Sequence, residues 1–352
     1  MMKNKFLVGV VTFFTAIILS VIVLNIFDSS TKKDYFFDRK FVAESPLKFD
    51  KKFEKMNSSE YIMYIPSDYS LVERDKMVID AEKAEYKFYF SDLVFTKIVT
   101  KTAILPNFCS IILYDKNRLF YIVKFQLFVY DFETKKSKKI GSNNFKAFSL
   151  KVIPNSKTKF LCFGESFENS SYNTGFHIID IDTNEIFSTK ILQNNDQSEM
   201  TKNCLIYSGN FTKTYDKNII AYACDKYSKI YFFDSNGLFT KELNTNDNVP
   251  LPDILTNQKG YNFYSRGGTW ATNVGMFMKD GDIFVFSARS DDNNTIIIDQ
   301  YSYYTLQYVQ SYKLNYNNLN SKRIMNVFID KDKIILVFEF NYASFTFSRY
   351  IR

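Results

Sequence analysis

Histidine is almost absent from this chain of 352 residues, which contains only His177. A single histidine excludes metal sites built from several histidines and leaves one residue for any histidine-based triad. His177 lies in the apolar segment Phe176–Ile181, where we expect an ordinary strand residue. GxSxG, P-loop and GxGxxG motifs are also absent. The sequence thus contains no recognisable catalytic motif, and we expect no resident cofactor.

Glycine and cysteine are scarce, at 11 and 4 residues. With so few glycines, Asn, Asp and Lys must occupy many of the turns. The cysteines form no CxxC pair, and we expect them to be small buried residues on strands. If the domain is extracytoplasmic, one disulfide is an alternative, and Cys204 and Cys224 are the pair closest in sequence.

Concentrated positive charge is scarce too. The formal net charge is +7, but Lys and Arg are spread along the chain. The largest group, Lys135–Lys139, is predicted to be a solvated hairpin tip, and contact with phosphate or anionic lipid is the alternative. No platform of interleaved basic and aromatic residues is recognisable, so we expect no nucleic-acid partner.

Apolar and aromatic side chains are abundant. Hydrophobic residues make up 46% of the chain, which includes 37 Phe and 25 Tyr. Phe, Tyr, Ile, Val and Thr favour strands. Because this much apolar surface can fill a core, we expect a folded all-β protein rather than a disordered one.

One hydrophobic run is long enough to cross a membrane. The uncharged stretch Phe6–Phe27 follows Lys3 and Lys5 and would rise about 33 Å as a helix. It is longer than the hydrophobic region of a secretory signal, which has about 7–15 residues, and it lacks a small-x-small cleavage site. We therefore predict a cytoplasmic tail and uncleaved transmembrane signal anchor at 1–27, a linker at 28–57 and the main domain at 58–352.

The orientation of this anchor follows from the residues on either side. Lys3 and Lys5 favour a cytoplasmic N-terminus, although Lys32, Lys33 and Arg39 on the far side weaken the contrast. We predict a single-pass membrane protein with most of the chain extracytoplasmic, as in the bacterial inner membrane and periplasm.

A unit of four strands recurs beyond the linker. Two apolar strands are joined by a tight polar turn, and a third strand, a second tight turn and a fourth strand follow. The first turns, spaced 40–64 residues apart, are Asp115–Asn117, Asn155–Lys157, Asp216–Asn218, Asp280–Asp282 and Asp330–Asp332. The second turns are Glu133–Lys135, Asp182–Asn184 and Ser235–Gly237.

This repeat is typical of β-propeller blades. The strands Phe125–Tyr130 and Tyr231–Phe233 are apolar on both faces, as expected for sheets packed between neighbours. Five or six blades fit the chain, and we predict six. A strand near Tyr61–Ile65 would complete the last blade and close the ring.

Three strand–turn strings resemble one known group of propellers. They are Leu127–Asp131, Ile178–Asp182 and Tyr231–Asp234. With the N-terminal anchor, the chain resembles the membrane-anchored six-bladed β-propellers of the TolB-like class over most of residues 60–352. The pattern is shared by binding proteins and enzymes, so the resemblance implies a fold and transfers no active-site residue.

The functional end of the propeller is predicted from loop lengths. Connections between second and third strands and between blades share one end, and they include the predicted loops Gly164–Thr174, Ser287–Thr295, Gln193–Lys202 and Asn244–Gly275. Long loops on a rigid scaffold commonly bind ligands. The candidate ligand- or partner-binding residues on this end are Glu165, Asp225, Arg266, Trp270, Arg289, Asp291 and Asp292.

Two local features have alternative interpretations. Trp270 could be a partner anchor, or it could pin a long loop to the domain. Asp291–Asn294 offers oxygen ligands for Ca²⁺, or it is a solvated hairpin tip.

Three functions remain open. The first is a non-catalytic binding or scaffolding module for an envelope protein, peptide or glycan. The second is a propeller hydrolase or lyase that uses carboxylates or Tyr. The third is a structural subunit of an envelope membrane complex. The missing motifs favour the first over an enzyme.

Overall fold

The computed structural model describes residues 37–43, 45–54, 71–91, 98–115, 117–212, 214, 218–265, 269–287, 295–315, 324–330, 333–338 and 341–347. The predicted anchor Phe6–Phe27 and the predicted closing strand Tyr61–Ile65 lie outside these residues. Within them, no helix is long and apolar enough to cross a membrane.

The described strands form the six blades of a β-propeller, together with one separate hairpin. The strands are β1 (Leu47–Glu54) in blade 6; β2 (Leu71–Val78), β3 (Lys83–Ser91) and β4 (Ile98–Pro106) in blade 1; β5 (Ser110–Asp115), β6 (Arg118–Val123), β7 (Gln126–Asp131) and β8 (Lys136–Ile140) in blade 2; β9 (Phe145–Val152), β10 (Lys159–Glu168), β11 (Ser171–Asp180) and β12 (Ile186–Asn195) in blade 3; β13 (Gly209–Thr212), β14 (Ile219–Cys224), β15 (Lys229–Asp234) and β16 (Phe239–Asn244) in blade 4; β17 (Ile254–Thr256) and β18 (Asn262–Tyr264) in the hairpin; β19 (Asn273–Lys279), β20 (Asp282–Ser287), β21 (Thr295–Ser302) and β22 (Tyr308–Asn315) in blade 5; and β23 (Ile324–Asp330), β24 (Lys333–Phe338) and β25 (Asn341–Phe347) in blade 6. The described part also contains the helix α1 (Met200–Ile206).

Strand order within the blades follows the chain. In blades 2 to 5 each strand pairs antiparallel with the next, so the first and fourth strands are the edges. Neighbouring first strands, from β5 through β9, β13 and β19 to β23, pack against one another. The hydroxyl of Thr212 on β13, for example, donates to the carbonyl of Met276 on β19 at 2.6 Å. These first strands therefore form the inner wall of the ring.

Aspartates at the ends of third strands build the second turn of three blades. The Oδ1 atom of Asp131 accepts from two following backbone N–H groups, at 2.9 and 2.8 Å. Asp180 makes an equivalent pair of bonds in blade 3, and in blade 4 Asp234 accepts from the N–H groups of Asn236 and Leu238 on either side of Gly237. In blades 2 and 3 such a side chain stabilises a tight turn without glycine, which agrees with the low glycine content, whereas the turn in blade 4 contains Gly237 with a φ of 83°.

The core lies between blades. Phe176 of blade 3 packs against Tyr222 and Phe233 of blade 4, with ring centroids 5.0 and 4.8 Å apart. All three side chains are fully buried, and each such burial stabilises the fold by about 2 kcal/mol. Strands β14 and β15 are buried along almost their whole length. The prediction that doubly apolar strands pack between neighbouring sheets is therefore confirmed.

The closing strand lies in a different place from the one predicted. The fourth strand of blade 6 is β1, which pairs antiparallel with β25 from Leu47↔Phe347 to Glu54↔Asn341. It falls inside the segment 28–57 that the sequence analysis assigned to a linker. The sequence of β1, LKFDKKFE, alternates charged and apolar residues because an outermost strand packs on one side only. Because the segment is rich in charged residues, its sequence is difficult to distinguish from that of a polar linker.

Candidate recognition site

Two long connections, the second of which is described except at residues 266–268, meet at one end of the propeller. Residues 196–208 join β12 to β13, and residues 245–272 join β16 to β19. Both run from the fourth strand of a blade to the first strand of the next. Because strand direction alternates, they share the end where second strands turn into third strands. We call this the long-connection end, and the opposite one the short-turn end.

One predicted loop at this end is instead a hairpin. The segment Gly164–Thr174 belongs to β10 and β11, which pair without interruption from Lys159↔Asp180 to Glu168↔Ser171. The two residues between them, Asn169 and Ser170, have φ angles of 52° and 65°. The sequence predicted a loop here because the paired ends of these long strands contain polar residues. Most of the other predicted loop, residues 288–294, lies outside the described residues.

Helix α1 and the β17–β18 hairpin pack together over the long-connection end, and we call them the cap (residues 200–206 and 254–264). The Tyr264 hydroxyl donates to the carbonyl of Leu205 at 2.9 Å and lies 3.0 Å from the hydroxyl of Ser208. The Asn262 side chain donates to the Thr201 hydroxyl at 2.9 Å. The cap is thus held by polar contacts between two connections far apart in sequence.

The outer face of the cap is apolar. Leu255 and Phe263 are directly opposite each other in the hairpin and are 44% and 46% exposed. Tyr261, next to the turn, is 67% exposed. The other face of the hairpin holds Tyr264, which is directed at α1. The hairpin therefore presents a leucine and two aromatic side chains to solvent on a supported backbone.

Glu165 lies beneath the cap and has internal partners. Its side chain is 1% exposed and accepts from the Lys146 ammonium at 3.4 Å, the Thr174 hydroxyl at 3.3 Å and the backbone N–H of Glu199 at 3.2 Å. The Ser198 hydroxyl donates to the same carboxylate. These bonds tie the start of the 196–208 connection to blade 3. Glu165 therefore supports the cap from below and is covered by it.

Asp225 and Trp270 lie at the base of the cap. The backbone N–H of Asp225 donates to the carbonyl of Ser208, and its carbonyl accepts from the N–H of Thr272, both at 2.8 Å. Asp225 thus joins the ends of both long connections. Trp270 is half-buried two residues before Thr272. The structure brings these two predicted residues to one region, whereas Arg266, Arg289, Asp291 and Asp292 lie outside the described residues.

Several residues of the cap were missed by sequence reasoning. Tyr264, Leu255 and Phe263 lie in a short hairpin whose turn is marked by Asn257 and Gly260. Asn257 Oδ1 accepts from two backbone N–H groups of the turn, and Gly260 has a φ of 79°. That Asn-to-Gly turn between apolar residues is the signal that could have revealed the hairpin.

His177 and the cysteines are parts of the packed protein interior or lie at its border. His177 is fully buried; its Nδ1 lies 3.0 Å from the Ser188 hydroxyl and its Nε2 3.3 Å from the Gly164 carbonyl. Burial lowers the His177 pKa to about 4. All four cysteines are free, and burial raises the pKa of each: Cys109, Cys162, Cys204 and Cys224.

Metal binding was predicted only at Asp291–Asn294, which lies outside the described residues. Among the residues that the structure does describe, no three His, Cys, Asp or Glu side chains are grouped to hold a metal ion.

Comparison with known proteins gives matches among solved structures only. No known family and no curated protein matches the chain. A member of the DUF4221 family from Bacteroides vulgatus is 8% identical with a TM-score of 0.44, over 85% of this chain and 96% of that one. A luciferin-regenerating enzyme is 8% identical with a TM-score of 0.43, over 79% and 95%.

A further match is itself described as a propeller. The β-propeller domain of the Trilobed protease from Pyrococcus furiosus is 12% identical with a TM-score of 0.36, over 87% of this chain and 97% of that one. At such low identities the likeness concerns the fold alone. The strand order and register of the present chain make it a six-bladed β-propeller.

Proposed function

We propose that this chain is a membrane-anchored, extracytoplasmic binding module that recognises a protein or peptide through its cap. The observation that carries the proposal is the exposed apolar face formed by Leu255, Phe263 and Tyr261. Aromatic residues on a supported surface are typical anchors of protein–protein interfaces. Their exposure on the end that gathers the long connections is consistent with recognition at that end.

A rigid platform supports this interpretation. The cap is fastened through Tyr264 to α1 and through the Glu165 cluster to blade 3. A preorganised surface loses less conformational entropy on binding than a mobile loop. The internal use of Glu165, the one described carboxylate predicted for this face that is fully buried, favours surface recognition over carboxylate catalysis.

The membrane anchor is the second part of the proposal. Phe6–Phe27 has the length and apolar character to cross a bilayer, and Lys3 and Lys5 favour a cytoplasmic N-terminus. The propeller would then lie outside the cytoplasm, as in the anchored TolB-like propellers that the strand–turn strings resemble. An envelope protein or peptide is the expected partner.

Affinity capture from native membranes tests the recognition surface. The double variant L255S/F263S removes the apolar face of the cap. The matched control F187S/I191S removes two side chains of similar exposure, 45% and 43%, from the outer strand β12. We expect the cap variant to lose the co-purified partner and the control to retain it. Retention by the cap variant, or equal loss by both, would contradict the proposal.

A further inference from the structure

The N-terminal segment is attached to the outer edge of blade 5, and we call residues 37–42 the N-terminal strap. The backbone N–H of Ser311 on β22 donates to the carbonyl of Lys40 at 2.9 Å, and Val42 N–H donates to the Ser311 carbonyl at 3.1 Å. Phe41 forms a parallel bridge with Ser311. The strap therefore lies along the outer edge of blade 5 and is parallel to β22 at this bridge.

A buried ion pair fixes the position of the strap. Arg39 donates through Nε and Nη2 to the two carboxylate oxygens of Asp299, at 2.9 and 3.1 Å. The two side chains are only 5% and 6% exposed. The Ser311 hydroxyl donates to the same carboxylate at 2.5 Å. Bidentate geometry and burial make this a specific attachment. The place where the chain enters the propeller is thus defined.

That entry point lies towards the short-turn end. Because the strap runs parallel to β22, its first residue lies beside the start of β22, after the turn from β21. The ring of Phe37 packs edge-on against Tyr308, the first residue of β22, with centroids 5.0 Å apart. The Tyr308 hydroxyl also accepts from the backbone N–H of Lys40 at 2.9 Å. The chain therefore reaches the propeller on the side away from the cap.

Only nine residues separate the apolar stretch from the strap. Phe27 ends the stretch and Phe37 begins the strap, so residues 28–36 form the connection. At about 3.5 Å per residue, nine residues reach about 30 Å when fully extended. A folded propeller attached by so short a connection keeps the edge of blades 5 and 6 close to the place where the anchor leaves the bilayer.

The surface around the strap has side chains suited to a lipid headgroup region. Phe41 and Val42 on the strap are 46% and 37% exposed, and Phe49 on the neighbouring β1 is 52% exposed. The Lys313 ammonium lies 4.6 Å from the centroid of the Phe41 ring. Lys48 is exposed beside Phe49. Exposed aromatic residues next to lysines are typical of membrane–water interfaces.

We propose that this edge, formed by Phe41, Val42 and Phe49, rests on the lipid surface, so that the short-turn end faces the membrane and the cap points away from it. The inference rests on the proposed anchoring by Phe6–Phe27. It adds an orientation: the recognition surface is presented to partners in the extracytoplasmic space. It also assigns a second, peripheral membrane contact.

Quenching of site-specific fluorophores tests this orientation. Full-length protein is reconstituted in phosphatidylcholine–phosphatidylglycerol vesicles that contain lipid with a quencher at headgroup depth. Single cysteines are labelled at Phe41 and Phe49 on the edge, at Tyr261 on the cap, and at Phe167, which is 38% exposed at the long-connection end of blade 3, opposite blade 6. The half-buried native Cys109 is replaced by Ser, and the other native cysteines are buried. We expect several-fold stronger quenching at the two edge positions than at Tyr261 and Phe167.

Three results would overturn the inference, and they are distinguishable. Quenching at Tyr261 that equals quenching at Phe49 means that the cap faces the membrane. Equal and weak quenching at all four positions, with protein resistant to alkaline carbonate extraction, means that the anchor holds but the edge does not touch lipid. Extraction of the protein by carbonate means that the proposed anchor itself fails, which also removes the proposed orientation.

Discussion

At the residue scale, His177 illustrates how burial determines chemistry. The Ser188 hydroxyl donates to Nδ1 and Nε2–H donates to the Gly164 carbonyl, so the neutral ring has both nitrogens paired. A proton added to this fully buried ring would create a charge away from water, and the pKa falls to about 4. The residue is therefore part of the core of blade 3 and remains neutral at physiological pH.

This lowered pKa predicts a pH-dependent stability. Between pH 6.5 and 4 the unfolded chain binds a proton at His177 and the folded chain does not. The neutral His177 ring therefore contributes fully to the free energy of unfolding above about pH 6.5. This contribution is lost as the pH falls towards 4, by up to about 3 kcal/mol. Urea unfolding of the detergent-solubilised protein at pH 7 and pH 4.5 measures it. H177Q should show a smaller difference between the two pH values, and an unchanged difference would refute this explanation.

Glu165 gives a second test at this scale. E165A removes an acceptor of four hydrogen bonds and leaves Lys146 beside a buried gap, so we expect a loss of about 2–3 kcal/mol in the free energy of unfolding. Glu168, exposed on the same strand, is the matched control, and E168A should change stability by less than about 0.5 kcal/mol. Equal effects of the two substitutions would show that the carboxylate is not the attachment of the 196–208 connection.

At the element scale, the cap consists of small pieces that depend on each other. Helix α1 has seven residues, and Glu199 at its N-terminus makes no side-chain capping bond. The strands β17 and β18 have three residues each. Elements this short are marginal alone, so their stability must come from packing between them and on blade 3. Tyr264 and Asn262 of the second connection both bond the first one, and Tyr264 makes two of these three contacts.

The substitution Y264F should therefore lower the local stability of the cap and leave the stability of the blades unchanged. It removes the hydroxyl that bonds the Leu205 carbonyl and the Ser208 hydroxyl, with an expected local loss of about 1 kcal/mol. Hydrogen exchange should become roughly fivefold faster for the amides of α1, while those of β14 and β15 keep their protection. Y261F, at an exposed position, is the control. No change at α1 would mean that the two connections are not coupled through Tyr264.

How much of these elements the sequence could predict depends on the signal each one carries. Third strands that end in Asp131, Asp180 and Asp234 were predictable because the turn chemistry is local. The closing strand β1 was not, because its partner β25 is almost 300 residues away and more than half of its residues are charged. Helix α1 has no capping signal. Glu165 was predicted as a candidate binding residue, but its side chain is buried by bonds to a connection 33 residues later, which no local pattern reveals.

At the scale of the whole molecule, both the ring closure and the orientation involve the N-terminal segment. Strand β1 completes blade 6, and the N-terminal strap lies on blade 5. Residues 37–54 therefore connect blade 5 to blade 6, and the pairing of β1 with β25 joins the N-terminal part of the chain to its C-terminal part. An edge strand that is paired or covered is also protected from pairing with other molecules. The same segment leads towards the proposed anchor.

Arg39 is the test of this attachment. R39M leaves the Asp299 carboxylate buried without its partner, and breaking such a pair costs about 3–5 kcal/mol. The double variant R39M/D299L removes both charges and should recover most of that loss. Thermal unfolding and protease cleavage within residues 28–43 both measure the effect. A single variant as stable as the parent protein would show that the strap is not held by this ion pair.

The central claim is that the cap at the long-connection end is the recognition surface. Site-specific photo-crosslinking in native membranes tests it most directly, with a photoreactive amino acid at Phe263 on the cap or at Phe187 on β12, positions of nearly equal exposure. The account predicts discrete protein adducts from Phe263 and none from Phe187. Adducts from Phe187 alone, or the same adducts from both positions, would contradict it.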